Sequence, residues 1–234
     1  MNWTAKTRAS GTATVAASKP GTAVSGSATA PGGNPTRISN GLKEFLLHLE
    51  DIKNPRILDL GQVSQATLNF FIEKGYKVTT EDSLRSWKEF LSAEEEGLRL
   101  APVGNGGQKV SQAYLAEKFL ESGLRYAEES FHGVLAWDLL DYFDAELLPR
   151  AMERLYSLLL PSGVVLAMFH SKAAERFHRY RIIDTQTIEV LPAATLAVHA
   201  HVFQNREILD LFGKFRSSKT FVGRDQLREA LFLK

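Results

Sequence analysis

The sequence has no cysteine among its 234 residues. Without thiols the chain can form no disulfide, bind no metal through thiolates and use no cysteine nucleophile. A reducing cytoplasm suits such a chain, so the expected location is cytoplasmic.

Long apolar runs and an excess of one charge are also missing. The most apolar stretch, LYSLLLPSGVVLAMF, is broken by Pro161 and Gly163, and a membrane helix needs roughly 20 apolar residues. Lys and Arg number 28 against 27 Asp and Glu, so no overall basicity favours nucleic acid or an anionic membrane. The expected partner is a small-molecule substrate or another protein.

The first 38 residues are poor in large apolar side chains. They consist mostly of Ala, Thr, Ser, Gly and Pro, and no acid appears before Glu44. Such a segment cannot bury enough apolar surface to offset its ordering entropy. We therefore predict a disordered tail over residues 1–38 and one folded domain over residues 39–234.

From Ser39 onward, strand and helix patterns alternate. The stretches RILDL, YKVTTED, HGVLAWDLL and VVLAMFH are typical of buried strands, with amphipathic helical patterns between them. Strand-helix-strand units of this length make parallel strands. SKTFVG and LREALFLK close the chain as a hairpin. The pattern predicts an α/β fold, a three-layer Rossmann-like arrangement whose mostly parallel sheet ends in an antiparallel hairpin.

An insertion over residues 179–203 differs in kind. RYRIIDTQTIEV and TLAVHAHVF alternate like two antiparallel strands. We expect this insertion either to cover the cleft as a lid or to form a homodimer face by edge pairing.

The first predicted strand ends in a turn that begins like a ligand site. In open α/β sheets, ligands bind at the carboxyl ends of the strands. Asp59 and Gly61 open the turn, and an acid about 20 residues later, Asp82 or Glu81, can bind ribose hydroxyls. The glycines that usually follow are missing, and the β-branched Val63 is poorly suited to a left-handed conformation.

Four segments together resemble the class I S-adenosylmethionine (SAM)-dependent methyltransferases of the small-molecule, type 11-like group. ILDLGQVSQ is similar to the family's vLDlGcGtG, and GYKVTTEDSL to GyeVtgvDiS. ESFHGVLAWDLLDYFD is similar to dsFDvVlawdvLehl, and AMERLYSLLLPSGVVLAMFH to reiyRvLkPGGvll. The segments follow the family's order, and the resemblance covers most of residues 40–234.

The resemblance implies methyl transfer from SAM to an unidentified acceptor. It places the methionine part of the cofactor beside Asp59, Gly61 and Gln62, and the ribose hydroxyls on Asp82. It also implies that Leu84 packs on adenine and that Trp137 and Asp138 border the cofactor sulfur and the substrate.

The glycine motif is degenerate, which leaves an alternative open. Val63 and Gln65 replace the family's second and third glycines, and Ser122 or Gly123 replaces its acid near the adenine amine. The alternative is a non-catalytic methyltransferase-like protein that serves as a binding or scaffold partner. In that case bulky residues such as Val63 and Gln62 should fill the methionine space. A nicotinamide-dependent enzyme is disfavoured because it needs the missing glycines.

Candidate acid-base residues at the carboxyl edge are Asp138, Asp141, Tyr142 and His170. A base is needed only for hydroxyl or similar acceptors. His170 ends a strand where it could face the cleft, although a solvated strand-end histidine is the favoured interpretation.

Two other motifs are weak. His199 and His201 in HAH make an incomplete zinc site, so no metal is expected. GNGG at Gly104–Gly107 lacks the Lys-Ser/Thr of a phosphate loop, and a flexible loop is predicted there.

Overall fold

A computed structural model of the chain describes residues 27–28, 34–100, 110–174, 177–193, 200–223 and 225–234. In chain order the elements are β1 (Ser27–Ala28), β2 (Thr36–Ile38), α1 (Asn40–Leu49), β3 (Arg56–Asp59), α2 (Gln65–Glu73), β4 (Lys77–Thr80), α3 (Ser83–Leu100), α4 (Gln112–Gly123), β5 (Phe131–Trp137), a 3-10 turn (Leu139–Tyr142), α5 (Leu147–Leu158), β6 (Leu159–His170), β7 (His178–Ile182), β8 (Thr187–Pro192), α6 (Asn205–Leu211), β9 (Ser217–Val222) and β10 (Leu227–Leu233).

The main sheet has six strands in the order β4-β3-β5-β6-β10-β9. The first four are parallel, and β10 runs antiparallel to both β6 and β9. This confirms the predicted fold class, a mostly parallel sheet that ends in a C-terminal antiparallel hairpin. Because parallel strands share a direction, the carboxyl ends of β3, β4, β5 and β6 meet at one edge of the sheet.

Helices cover both faces of the sheet and produce three layers. α1 shows the reason, since Leu42, Phe45 and Leu49 recur at helical spacing and are fully buried. Ser39 caps this helix by accepting a hydrogen bond from the Leu42 N–H at 2.9 Å. α1 and α2 pack on one face of the sheet, and α3, α4, α5 and α6 pack on the other.

A second, smaller sheet of order β1-β2-β8-β7 lies beside the first. The predicted insertion does contain antiparallel strands, but the observed pair, β7 and β8, lies within RYRIIDTQTIEV. Asp184 makes the turn between them, because its Oδ1 accepts from the N–H groups of Gln186 and Thr187, both at 2.8 Å. Of TLAVHAHVF, residues 194–199 lie outside the described residues, and residues 200–203 are not in a strand.

The folded part begins earlier than Ser39. Residues 36–38, predicted to belong to the disordered tail, form β2 and pair with β8. The reason is electrostatic, since Arg37 is only 3% exposed and lies 3.0 Å from Glu229 and 2.8 Å from Asp225. The remaining tail outside residues 27–28 and 34–35, and the GNGG segment, lie outside the described residues. No described helix is both long and apolar enough to cross a membrane.

Candidate functional site

The carboxyl ends of β3 and β4 run side by side. The Glu81 N–H donates to the Asp59 carbonyl at 2.8 Å, and the Ser83 N–H donates to the Leu60 carbonyl at 3.3 Å. Asp82 is therefore held next to the turn that follows β3, as the sequence predicted for these two strand ends.

The carboxylate of Asp59 is buried and engaged within the chain. Its Oδ1 accepts from the Trp137 Nε1–H at 2.7 Å and from the Gly61 N–H at 3.0 Å. Burial raises the pKa of Asp59 to about 6, although both hydrogen bonds act to lower it. No local sequence pattern indicates that Trp137 is the partner of Asp59.

The indole of Trp137 fills the space against Gly61. A Cβ placed on Gly61 would lie 2.5 Å from Cδ1 and 2.8 Å from Nε1 of Trp137. Tyr180 of β7 stacks on the indole, with ring centroids 5.3 Å apart and planes 9° apart. This Trp137–Tyr180 stack closes the turn, and Trp137 adopts a left-handed φ of 48°, which is strained for a bulky residue.

The other residues that the resemblance assigns to the cofactor, Asp82, Gln62 and Leu84, differ in burial. Asp82 is half-buried and accepts from the Arg85 N–H at 3.3 Å. Burial is the main cause that raises the pKa of Asp82. Gln62 is half-buried, whereas Leu84 is 2% exposed and packs in the core, so it offers no face to a ligand. Val63, expected as a filling residue, is 57% exposed.

A second group, which we call the acid–histidine cluster, consists of Asp138, Asp141 and His170. Asp141 Oδ2 accepts from the His170 backbone N–H at 2.8 Å and lies 2.9 Å from His170 Nδ1. His170 Nε2 is 3.8 Å from Asp138 Oδ2, which is too far for a hydrogen bond. The His170 side chain is 12% exposed, so it is not the solvated strand-end histidine that its position favoured.

Two tyrosines adjoin this cluster. Tyr180 donates its hydroxyl hydrogen to Asp138 Oδ2 at 2.9 Å, and so links the cluster to the Trp137–Tyr180 stack. The buried Tyr142 hydroxyl and Asp141 Oδ1 have no hydrogen-bond partner among the described residues. The sequence analysis included Tyr142 among the candidate acid–base residues but not Tyr180. The only sequence feature that could have indicated Tyr180 is its inward position in a strand of alternating pattern.

The cluster is protonated more readily than its isolated groups. Burial raises the pKa of Asp138 to about 7, against the effects of His170 and the Tyr180 hydrogen bond. Burial opposes a charged His170, yet the Asp141 hydrogen bond and the charges of Asp138 and Asp141 outweigh it and raise the pKa of His170. The group can therefore exchange a proton near neutral pH.

A cavity of about 530 Å³ adjoins the cluster. It lies between β2, the end of β6, β7 and the turn before β10, and we call it the β2–β6 cavity. Its lining includes Arg37, His170, Lys172, His178, Tyr180 and Leu227. A larger groove of about 680 Å³ lies between α4 and α5, away from the carboxyl edge of the sheet.

The predicted absence of a metal concerns His199 and His201, which are not members of the acid–histidine cluster. His201 lies 3.6 Å from Glu207, and His199 is outside the described residues. In the described part of the chain, no group of three or more His, Asp or Glu side chains is arranged to hold a metal ion.

No family model and no curated protein matches this sequence. Among solved structures, the chain is similar to the Burkholderia thailandensis 1,6-didemethyltoxoflavin-N1-methyltransferase, which was solved with 1,6-didemethyltoxoflavin and S-adenosylhomocysteine. The identity is 16% and the TM-score 0.44, over 83% of this chain and 76% of that one.

Two further solved structures are similar. A SAM-dependent methyltransferase from Archaeoglobus fulgidus is 13% identical, with a TM-score of 0.44 over 82% of this chain and 93% of its own. The [4+2]-cyclase SpnF is 11% identical, with a TM-score of 0.43 over 82% and 80%. At these identities and TM-scores, no function follows from the similarity.

Proposed function

We propose that the chain is a SAM-dependent methyltransferase whose cofactor lies along the carboxyl ends of β3 and β4. The observation that carries this proposal is the position of Asp82 beside the Asp59–Gly61 turn. Its Oδ1 accepts one hydrogen bond, from the Arg85 N–H, and its Oδ2 accepts none among the described residues. An acid at this point of such a sheet is placed to accept ribose hydroxyls.

The nucleoside end of SAM suits this site better than the methionine end. The ribose has an acid available in Asp82, whereas the indole of Trp137 occupies the space against Gly61 and holds Asp59. Binding of the methionine end requires the indole to leave, which breaks one hydrogen bond and one ring stack. The strained backbone of Trp137 lowers the cost of that movement, because leaving the left-handed region releases strain.

When bound, SAM supplies a methyl group that is transferred in line to a nucleophile. Alignment and exclusion of water provide most of the catalysis of such a displacement. The chain contributes the acid–histidine cluster, which is 12% exposed or less at each member. The methyl acceptor is a small molecule in this proposal.

Calorimetric titration with SAM and S-adenosylhomocysteine tests the proposal. We expect micromolar binding, about −8 kcal/mol, that is lost in Asp82→Ala and kept in Asp51→Ala, an exposed acid outside the site. Trp137 fluorescence should change on binding, with Trp137→Phe as the blank. No heat from either ligand at millimolar concentration would contradict the proposal.

A second candidate function, a non-catalytic binding or scaffold protein, is favoured by the Trp137–Tyr180 stack. The Trp137 indole occupies the space against Gly61 and stacks on Tyr180, whereas Val63, expected to fill the methionine space, is 57% exposed. Under this candidate the wild-type chain binds no SAM, and Trp137→Ala, which empties the space, gains binding. A protein partner or a homodimer then replaces the small-molecule acceptor.

A further inference from the structure

The β2–β6 cavity has two chemically different ends. His170, whose side chain is 12% exposed, lies at its inner end beside Asp138 and Asp141, whereas the exposed Lys172 follows two residues later. A ligand that fills this cavity therefore meets a neutral or proton-accepting group inside and a cation near solvent.

The inner end offers an oriented imidazole nitrogen. Asp141 Oδ2 contacts Nδ1 of His170 at 2.9 Å and also accepts from its backbone N–H at 2.8 Å, so one carboxylate holds both the ring and the backbone of His170. In the neutral ring with its proton on Nδ1, the lone pair of Nε2 is available, since Nε2 makes no hydrogen bond among the described residues. Burial opposes a charged ring, but the carboxylates raise the pKa of His170, so this neutral form is favoured as pH rises. A hydroxyl group of a ligand is a suitable donor to that lone pair.

The outer end offers the Lys172 cation, which has no counter-charge among the residues that the structure describes. Arg37 also lines the cavity, but it is paired with Asp225, another lining residue, at 2.8 Å and with Glu229 at 3.0 Å. Lys172 has no ion pair or hydrogen bond among the described residues. Val190 and Leu227 also line the cavity and give it aliphatic surface, which suits an apolar body.

We infer that the β2–β6 cavity binds a small organic acid that carries a hydroxyl group, with the hydroxyl at His170 Nε2 and the acid group at Lys172. The assignment of this ligand as the methyl acceptor rests on the proposed function. In that role the hydroxyl oxygen takes the methyl group and its proton passes to Nε2. The electron pair of the broken carbon–sulfur bond stays on sulfur.

The experiment uses 4-hydroxybenzoate as probe and titrates it into the full chain without SAM. We expect saturable binding that weakens about tenfold in Lys172→Gln, equivalent to about 1.4 kcal/mol. Lys53→Gln, an exposed lysine outside the cavity, is the matched control and should bind like wild type. No binding at millimolar concentration, or equal binding by Lys172→Gln and wild type, would overturn the inference.

The position of the hydroxyl is tested by nitrogen NMR of histidine-labelled protein. The Nε2 signal of His170, assigned from its loss in His170→Gln, should shift with 4-hydroxybenzoate and much less with benzoate. Equal shifts with both ligands would overturn the hydroxyl assignment. Because SAM is absent from these titrations, failure of the proposed function leaves their outcome unaffected, and the two failures are distinguishable.

Discussion

Two parts of the same sheet edge are built in opposite ways. At the ends of β3 and β4, the space over Gly61 is filled by the Trp137 indole, on which Tyr180 stacks. At the end of β6, about 530 Å³ stays open beside His170. Aromatic packing closes the first part. One wall of the second is β2, which the buried Arg37 ion pairs hold in place.

The difference shows how the small second sheet controls both parts. Tyr180 on β7 backs the indole on the closed side and also lines the cavity on the open side. Its hydroxyl bonds to Asp138 between them. A movement of β7 that freed Trp137 would therefore also reshape the β2–β6 cavity, so the two parts are mechanically linked.

The largest expected effect comes from the charge that holds the open side. Arg37→Ala removes a cation that is 3% exposed and leaves the 2% exposed side chain of Glu229 without it. Breaking a buried ion pair in this way costs about 3–5 kcal/mol. Urea unfolding measures the loss, and hydrogen exchange should show that the Val190 N–H, bonded to the Pro35 carbonyl at 2.8 Å, loses protection.

Lys219→Ala is the control for that substitution. It breaks the exposed pair with Glu44, which should cost no more than about 1 kcal/mol. The double variant Arg37→Met, Glu229→Met should regain part of the lost stability, because apolar side chains need no counter-charge. An Arg37→Ala cost as small as that of Lys219→Ala would contradict a strand fixed by buried charge.

The next largest effect is a pH dependence of stability that arises from Asp138, which lies between the two parts. The folded-state pKa of Asp138, about 7, is above its ordinary value of 3.8, so the folded state keeps a proton that the unfolded state loses. The contribution of Asp138 to the free energy of unfolding is therefore fully present below about pH 4. It falls by at most about 4 kcal/mol as pH rises to about 7. The raised pKa of His170 adds a slope of the same sign.

Asp138→Asn should flatten this pH dependence, since Asn can still accept the Tyr180 hydrogen bond. Urea unfolding from about pH 4 to about pH 8 measures it. Asp184→Asn is the control: slight burial acts to raise its pKa, but hydrogen bonds from Gln186 and Thr187 lower it. Its contribution is lost only as pH falls below about 4. An unchanged slope in Asp138→Asn would show that other groups cause it.

A smaller effect is expected on the closed side. Gly61→Ala places a Cβ 2.5 Å from the Trp137 ring, and overpacking of this kind costs about 1–3 kcal/mol. Gly97→Ala is the matched control, because nothing lies within 4 Å of its added Cβ in α3, and it should gain up to about 1 kcal/mol. In a Trp137→Leu background the Gly61→Ala cost should fall, and an equal cost there would contradict the indole contact.

The sequence predicts the closed side of this edge only in part. Local patterns are sufficient for β3, α2 and β4, because apolar spacing and capping act within a few residues. The contact between Asp59 and Trp137 joins positions 78 apart, and the Arg37 ion pairs join the first described strands to the last. Such contacts depend on packing, so neither the filled turn nor the ordered β2 could be predicted from local patterns.

The smallest effect is expected at Val63, a residue that the sequence analysis expected to fill the methionine space. Val63 is 57% exposed, so Val63→Ala should change the free energy of unfolding by no more than about 0.5 kcal/mol. It should leave SAM affinity unchanged, because it empties no space against Gly61. Trp137→Ala empties that space and should change the affinity. If Val63→Ala changed SAM affinity and Trp137→Ala did not, the turn would be closed by its own loop and not by the stack.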